Sequence, residues 1–296
     1  MLMKGVVAAV ITPFDAGGEV SYPALRWLCD FLIEKHVDAL FILGSTGLGP
    51  MLDMDERKRV AEMVVEHVAG RCPVMVHAGA PSTKGTVELA RHSGEVGADA
   101  VSICPPYYYQ HAPDAQAAHF RSVAMELPSV PVFLYIRNPR FGELLSPKLV
   151  AQLVSECENI VGVKDSSGSH LTIPNYRDEI LPRQLTFLQG VESLALNSLL
   201  EGANGMVSGL ATALPEVVQA VVSAHAAGQL TQAAEKQKLL GRVNRIVCGT
   251  KPYGRLLKVL EWSGCPATHT LPPFQQISDS DAEAMRRDLA RAGLKL

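Results

Sequence analysis

The stretch IVGVKDSS, Ile160 to Ser167, places a lysine inside an apolar run. A strand with one wet face alternates apolar and polar residues, whereas a nearly continuous apolar run suits a parallel strand covered on both sides. Seven other runs share this character: GVVAAVITPF from Gly5, DALFILGST from Asp38, PVMVHAG from Pro73, ADAVSICPP from Ala98, PVFLYIR from Pro131, LTFLQG from Leu185 and GMVSGLA from Gly205. Their starts lie about 20–35 residues apart, the length of one strand–helix unit. Helix signals fill the gaps. SYPALRWLCDFLIEKH carries a Ser21 cap and a stripe of Leu25, Leu28 and Leu32; DERKRVAEMVVEHV opens on acids from Asp55; SPKLVAQLVSE pairs Ser146 with Pro147 at its first turn. Eight such units predict an α/β protein with a closed (β/α)8 TIM barrel over residues 1–228. An open doubly wound sheet is the alternative. Beyond residue 228 only helical patterns follow, so residues 229–296 read as a C-terminal helical extension packed on the barrel as one structural unit.

Composition narrows the function classes. The chain has 296 residues, 47% hydrophobic and 19% charged, with a formal net charge of −3. This is the balance of a soluble globular protein, without the basic stripe of a nucleic-acid binder or of a protein that seeks anionic membranes. No apolar run approaches the ~18 residues of a membrane span, and the apolar start breaks at Pro13, which suits a first strand better than a signal peptide. The six cysteines contain no C-x-x-C pair. Scattered in this way, they read as reduced core residues of a cytoplasmic protein.

Barrel enzymes carry their chemistry at the carboxyl ends of the strands. Those ends here hold GSTG (Gly44 to Gly47), PPYYY (Pro105 to Tyr109), YIRNPR (Tyr135 to Arg140) and KDSS (Lys164 to Ser167). Burial lowers the pKa of a lysine and frees a neutral amine, which attacks ketones to form a Schiff base; a lysine snorkelling to the rim is the other reading of Lys164. Tyr135, on the neighbouring strand, could exchange a proton with such an imine or be a core aromatic. Ser45 and Thr46 lie in a glycine-flanked turn that could hold a carboxylate or cap a helix. Three adjacent tyrosines cannot all face one core, so at least one should line a cleft or a subunit contact.

Taken together, the GSTG turn, the Pro106-Tyr107-Tyr108 run, Tyr135 with Arg140 and Gly142, and Gly162-Val163-Lys164 resemble the dihydrodipicolinate synthase / N-acetylneuraminate lyase family of class I aldolases. The resemblance runs from Thr12-Pro13-Phe14-Asp15 to about residue 264. It implies a barrel with a helical extension, a homotetramer built from tight dimers, and chemistry on pyruvate or another 2-oxo acid, with an aldehyde as second substrate or product, without metal or organic cofactor. By that resemblance Lys164 forms the Schiff base and Tyr135 moves the proton. Ser45 and Tyr108 complete a hydroxyl relay to solvent, and Tyr107 lies near the tight-dimer contact. Ser45, Thr46 and Gly47 hold the pyruvate carboxylate. Val207 brings its backbone to the pyruvyl group, and Gly190 and Glu192 lie where the distal part of the substrate binds. Arg140 stands where synthases clamp the carboxylate of their second substrate.

The chain also departs from the family. Leu48 replaces the glutamate that usually follows the GSTG turn, Ile136 and Arg137 displace the usual Asn after the tyrosine, and Lys251-Pro252 replaces a late Asn-Pro. Sites that bind inhibitory lysine in regulated synthases hold Met54, Arg57, Pro81 and Gly85, which implies no lysine inhibition. These departures favour cleavage of a 2-keto-3-deoxy-sugar acid. Dihydrodipicolinate synthesis from pyruvate and aspartate semialdehyde is the runner-up. Sugar-acid dehydration through the same imine and a non-catalytic 2-oxo-acid binder are the remaining readings.

Overall fold

The computed structural model describes residues 3–137, 145–181 and 183–294. Eight parallel strands close in sequence order into a barrel: β1 Gly5–Ala9, β2 Ala39–Ile42, β3 Val74–His77, β4 Ala100–Ile103, β5 Val132–Ile136, β6 Ile160–Asp165, β7 Thr186–Gln189 and β8 Gly205–Ser208. Helices α1 Tyr22–Glu34, α2 Met54–Val68, α3 Thr83–Glu95, α4 Pro113–Met125, α5 Pro147–Glu156, α6 Thr172–Ile180, α7 Ala195–Leu200 and α8 Pro215–Ala226 follow the strands in turn. Both faces of the strands are covered, which is why the apolar runs scarcely alternate. The open-sheet alternative is excluded by the pairing of β8 with β1, Gly5 opposite Gly205 and Val7 opposite Val207.

That seam needs glycine. A Cβ on Gly205 would lie 2.2 Å from the Gly5 carbonyl oxygen, a clash between two backbones that no rotamer relieves. Gly5 itself has φ +72°, and a Cβ there would strike the Asp38 carboxylate, which accepts from the Val6 N–H at 2.7 Å. Next to the seam, the Ile11 N–H donates to Thr212 Oγ1 at 3.1 Å, across 201 positions of chain.

The caps are partly those the sequence suggests. Ser146 accepts from the Leu149 N–H at 3.2 Å. Ser21 occupies the cap position of α1 but makes no capping bond with its side chain, and the cap of α2 is Asp53, which accepts from the Glu56 N–H. After α8 come α9 Leu230–Cys248, α10 Pro252–Trp262 and α11 Asp279–Arg291. Their buried leucines and valines, including Leu240, Val243, Leu257, Leu260 and Leu289, share one apolar core with α1, α2 and α8. Among the described residues no helix is long and apolar enough to cross a membrane. All six cysteines are free.

Candidate active site

Alternation decides which side chains line the inside of the barrel. Phe41, Met75, Phe133, Tyr135, Leu188 and Val207 form its inner cluster. Lys164 joins them because it stands two places after Gly162, directly opposite Tyr135 in the ladder between β5 and β6. A Cβ on Gly162 would meet the Phe133 ring at 2.2 Å, so glycine at this place lets that ring fill the layer below the lysine.

Lys164 is 4% exposed, and Tyr135 is 5% exposed. The Lys164 Nζ lies 3.9 Å from the ring centroids of both Phe41 and Tyr135. Burial pushes the lysine below its ordinary value, and the adjacent Tyr135 phenol opposes that shift without cancelling it. Burial alone would raise the Tyr135 phenol, but Lys164 and the hydroxyls of Ser45 and Ser166 outweigh it and bring the phenol below its ordinary range. Both groups are thus held below their ordinary values, which brings each nearer the range in which acid–base groups exchange protons with a bound substrate. Asp165 is buried on the opposite face of β6; its Oδ1 accepts from the Ser167 N–H at 2.8 Å.

The GSTG turn lies above this pair. Ser45 Oγ is 3.5 Å from the Tyr135 hydroxyl. The Gly47 carbonyl accepts from Thr12 Oγ1 at 2.6 Å, and a Cβ on Gly47 would come 2.9 Å from Val10 O. Thr46 Oγ1 sits 3.1 Å from where a Cβ on Gly209 would be, so the turn packs closely on the end of β8, beside Val207. Leu48, in the place of the usual glutamate, has φ 54° and is 2% exposed: the substitution puts an apolar side chain into the core beneath the turn. On the far side, the Gly190 N–H donates to the Asp165 carbonyl at 2.6 Å, and a side chain on Gly190 would collide with Ser166. Glu192 follows β7, and its carboxylate accepts from Ser208 Oγ at 2.7 Å and from the Leu210 N–H at 3.3 Å.

One of the expected residues is not part of this group. Tyr108 does not reach the Ser45–Tyr135 pair within the chain: it is 88% exposed, has φ 87° and packs edge-on against Tyr109. Its neighbour Tyr107 is the one that turns inward onto the inner cluster, with the Arg137 guanidinium 5.0 Å over its ring. The reason is a bend in the backbone at Tyr108, whose positive φ turns its side chain away from the side that Tyr107 faces. Arg140 and Gly142 lie outside the described residues.

Four other residues at the site had no active-site role in the sequence reading. His77, inside the barrel, stands edge-on to Tyr135 at 5.5 Å and 3.7 Å from the Cys104 thiol; burial keeps its imidazole well below the ordinary value and therefore neutral. It broke the apolar run PVMVHAG as Lys164 breaks IVGVKDSS, so the same signal was present. Arg57 donates to the carbonyls of His77 and Gly79 at 2.8 and 3.0 Å, tying α2 to the end of β3. Ser166 is visible only as part of the KDSS run. Tyr253, from α10, donates to the Ser45 carbonyl at 3.2 Å, a contact between segments 208 positions apart. Among the described residues, no three His, Cys, Asp or Glu side chains are grouped to hold a metal ion.

Comparison with known proteins agrees with this architecture. The model of the dihydrodipicolinate synthetase family matches residues 2–292. A probable 2-dehydro-3-deoxy-D-pentonate aldolase of Escherichia coli is 32% identical, with 98% of each chain covered. A 4-hydroxy-tetrahydrodipicolinate synthase of Methanopyrus kandleri is also 32% identical, over 99% of this chain and 97% of that one. Among solved structures, a prophage protein of the dihydrodipicolinic acid synthase family from Escherichia coli, in complex with pyruvate, superposes with a TM-score of 0.93 at 29% identity, covering 99% of this chain and 100% of that one. Relatives named as aldolases and as synthases thus share the whole length of the barrel and its extension, and the chain belongs with them as a lyase of the dihydrodipicolinate synthetase family.

Proposed function

We propose that the enzyme forms a Schiff base between Lys164 and a 2-oxo acid and cleaves a 2-keto-3-deoxy-sugar acid to pyruvate and an aldehyde. The observation that carries this reading is the Lys164 amine, 4% exposed and 3.9 Å from the Tyr135 ring centroid, with its pKa lowered by burial. The neutral amine adds to the C2 carbonyl, and loss of water gives the iminium. Tyr135 takes the proton of the C4 hydroxyl. The C3–C4 bond then breaks, its electron pair moves into the iminium as an enamine, and the aldehyde leaves. Protonation at C3 and hydrolysis release pyruvate and restore Lys164. Ser45, Thr46 and Gly47 hold the substrate carboxylate with turn N–H groups and hydroxyls, and Val207 and Gly190 border the 2-oxo acid. Glu192, pinned by Ser208, faces the distal hydroxyls.

Aldolase names among the relatives support the sugar-acid preference, one of them for a 2-dehydro-3-deoxy-D-gluconate aldolase of Escherichia coli at 31% identity. Synthase names among others, together with Arg140 in the sequence, favour condensation of pyruvate with aspartate semialdehyde as the second reading. A panel of 2-keto-3-deoxy acids decides between them, with pyruvate release as the readout. Release from at least one sugar acid is expected; pyruvate consumption with aspartate semialdehyde, and no release from the panel, would reverse the order.

We also propose that Tyr108 serves the relay of a second copy of the chain, within a tetramer of tight dimers. Holding a tyrosine at positive φ costs about 1–3 kcal/mol, a strain that persists only where the surrounding structure over-determines it and that clusters at functional sites, and the exposed ring is free to cross an interface. Mixed assemblies of Lys164→Ala and Tyr108→Phe chains test this. A relay completed between subunits restores activity above that of either parent, because the lysine of one chain then meets the tyrosine of the other; activity no higher than the parents places the relay within one chain.

A further inference from the structure

We propose that Tyr253 is a positioning residue of the active site: its phenol, carried by the C-terminal extension, holds the Ser45 carbonyl and thereby keeps Ser45 Oγ directed at Tyr135. This inference rests on the reading of Lys164 and Tyr135 as the reacting pair.

The GSTG turn is exposed at Ser45, and the Ser45–Tyr135 contact, at 3.5 Å, is already at the limit of a hydrogen bond. A small tilt of the turn would break it. Two hydroxyls from other elements oppose that tilt, each accepted by a carbonyl of the turn: Thr12 on Gly47 at 2.6 Å and Tyr253 on Ser45 at 3.2 Å. The Tyr253 ring is in turn fixed. It is half-buried and packs on Phe274 with centroids 4.2 Å apart. Gly254 lets the start of α10 approach the backbone beyond Phe274, since a Cβ there would lie 2.5 Å from the Gln275 carbonyl oxygen. Lys251, in a left-handed conformation at the cap of α10, pairs with Asp281 at 3.3 Å. Burial raises the Tyr253 phenol, and the charge of the neighbouring Tyr135 adds to that shift. A tyrosine that served only to pack α10 on the barrel would need its ring and not its hydroxyl.

Tyr253→Phe separates these roles, because it keeps the ring and its contact with Phe274. The measurement is exchange of the pyruvate methyl protons for deuterium, which needs the imine and the proton relay but no second substrate. Dividing the rate by the number of sites that borohydride traps with pyruvate removes any loss of folded enzyme. The expected result is a fall in exchange kcat per trapped site of about fivefold or more, the weight of one neutral hydrogen bond, with a smaller change in KM for pyruvate. A per-site rate equal to that of the wild type overturns the inference while leaving the Schiff-base reading intact. A wild-type enzyme that traps no pyruvate overturns the Schiff-base reading, and this inference with it.

Discussion

Lys164→Ala is expected to abolish the pyruvate adduct trapped by borohydride and to lower turnover by roughly 10⁴-fold or more, because the covalent route runs through the Lys164 amine. Mass spectrometry of the wild type should place the adduct on the peptide containing Lys164; an unmodified Lys164 would refute the Schiff-base mechanism. The same residue carries a stability signature. Its folded-state pKa is depressed below the ordinary lysine value of 10.5. Between the depressed value and 10.5 the unfolded chain holds a proton that the folded chain has released, so this residue makes stability rise with pH across that window. Lys164→Met should therefore be more stable than the wild type, with the largest difference below the window and a shrinking one as the pH approaches 10.5. Urea titrations at several pH values would check the sign. A gap that widens with rising pH would mean that the amine is not held neutral by burial.

Tyr135→Phe is expected to leave the adduct detectable but slow to form, and to lower methyl-proton exchange and turnover by about 10²–10⁴-fold, the usual contribution of a positioned acid–base group. The phenol lies below its ordinary value of 10.0, so wild-type activity should show a pH dependence in that range that the phenylalanine variant lacks. The packing of Tyr135 against Phe41 and His77 needs only the ring, so the variant should fold and melt much as the wild type does. Normal turnover in Tyr135→Phe would remove the tyrosine from the proton path.

The strands were legible because a barrel strand buried on both sides writes itself as an apolar run, and Lys164 was legible because it interrupts one. Tyr135 and Ser45 became readable through the order of motifs, which the structure places 3.5 Å apart at the mouth. What stayed hidden has a common cause. The Tyr253 bond joins segments far apart in sequence, and no local pattern announces it. Tyr108 was placed in the relay by motif, yet the local backbone turns its side chain out of the chain's own barrel. His77 carried the same local signal as Lys164 and was absorbed into an apolar strand, since a neutral imidazole in a core is chemically quieter than an amine. The cap of α2 fell two residues before Asp55, because Asp53, Asp55 and Glu56 stand close together and only geometry selects the one that caps.

The glycine seam between the first and last strands has a consequence for how the protein is made. Until Gly205 emerges from the ribosome, β1 has no partner on one side, and the growing sheet presents two unsatisfied edges. Such contacts between distant parts of a chain form slowly, because the loop they close must be ordered first. The nascent chain is therefore most exposed to sticking edge-to-edge with its neighbours just before synthesis reaches residue 205, and substitutions at Gly5 or Gly205 would lower the yield of assembled protein before they altered any step of its chemistry.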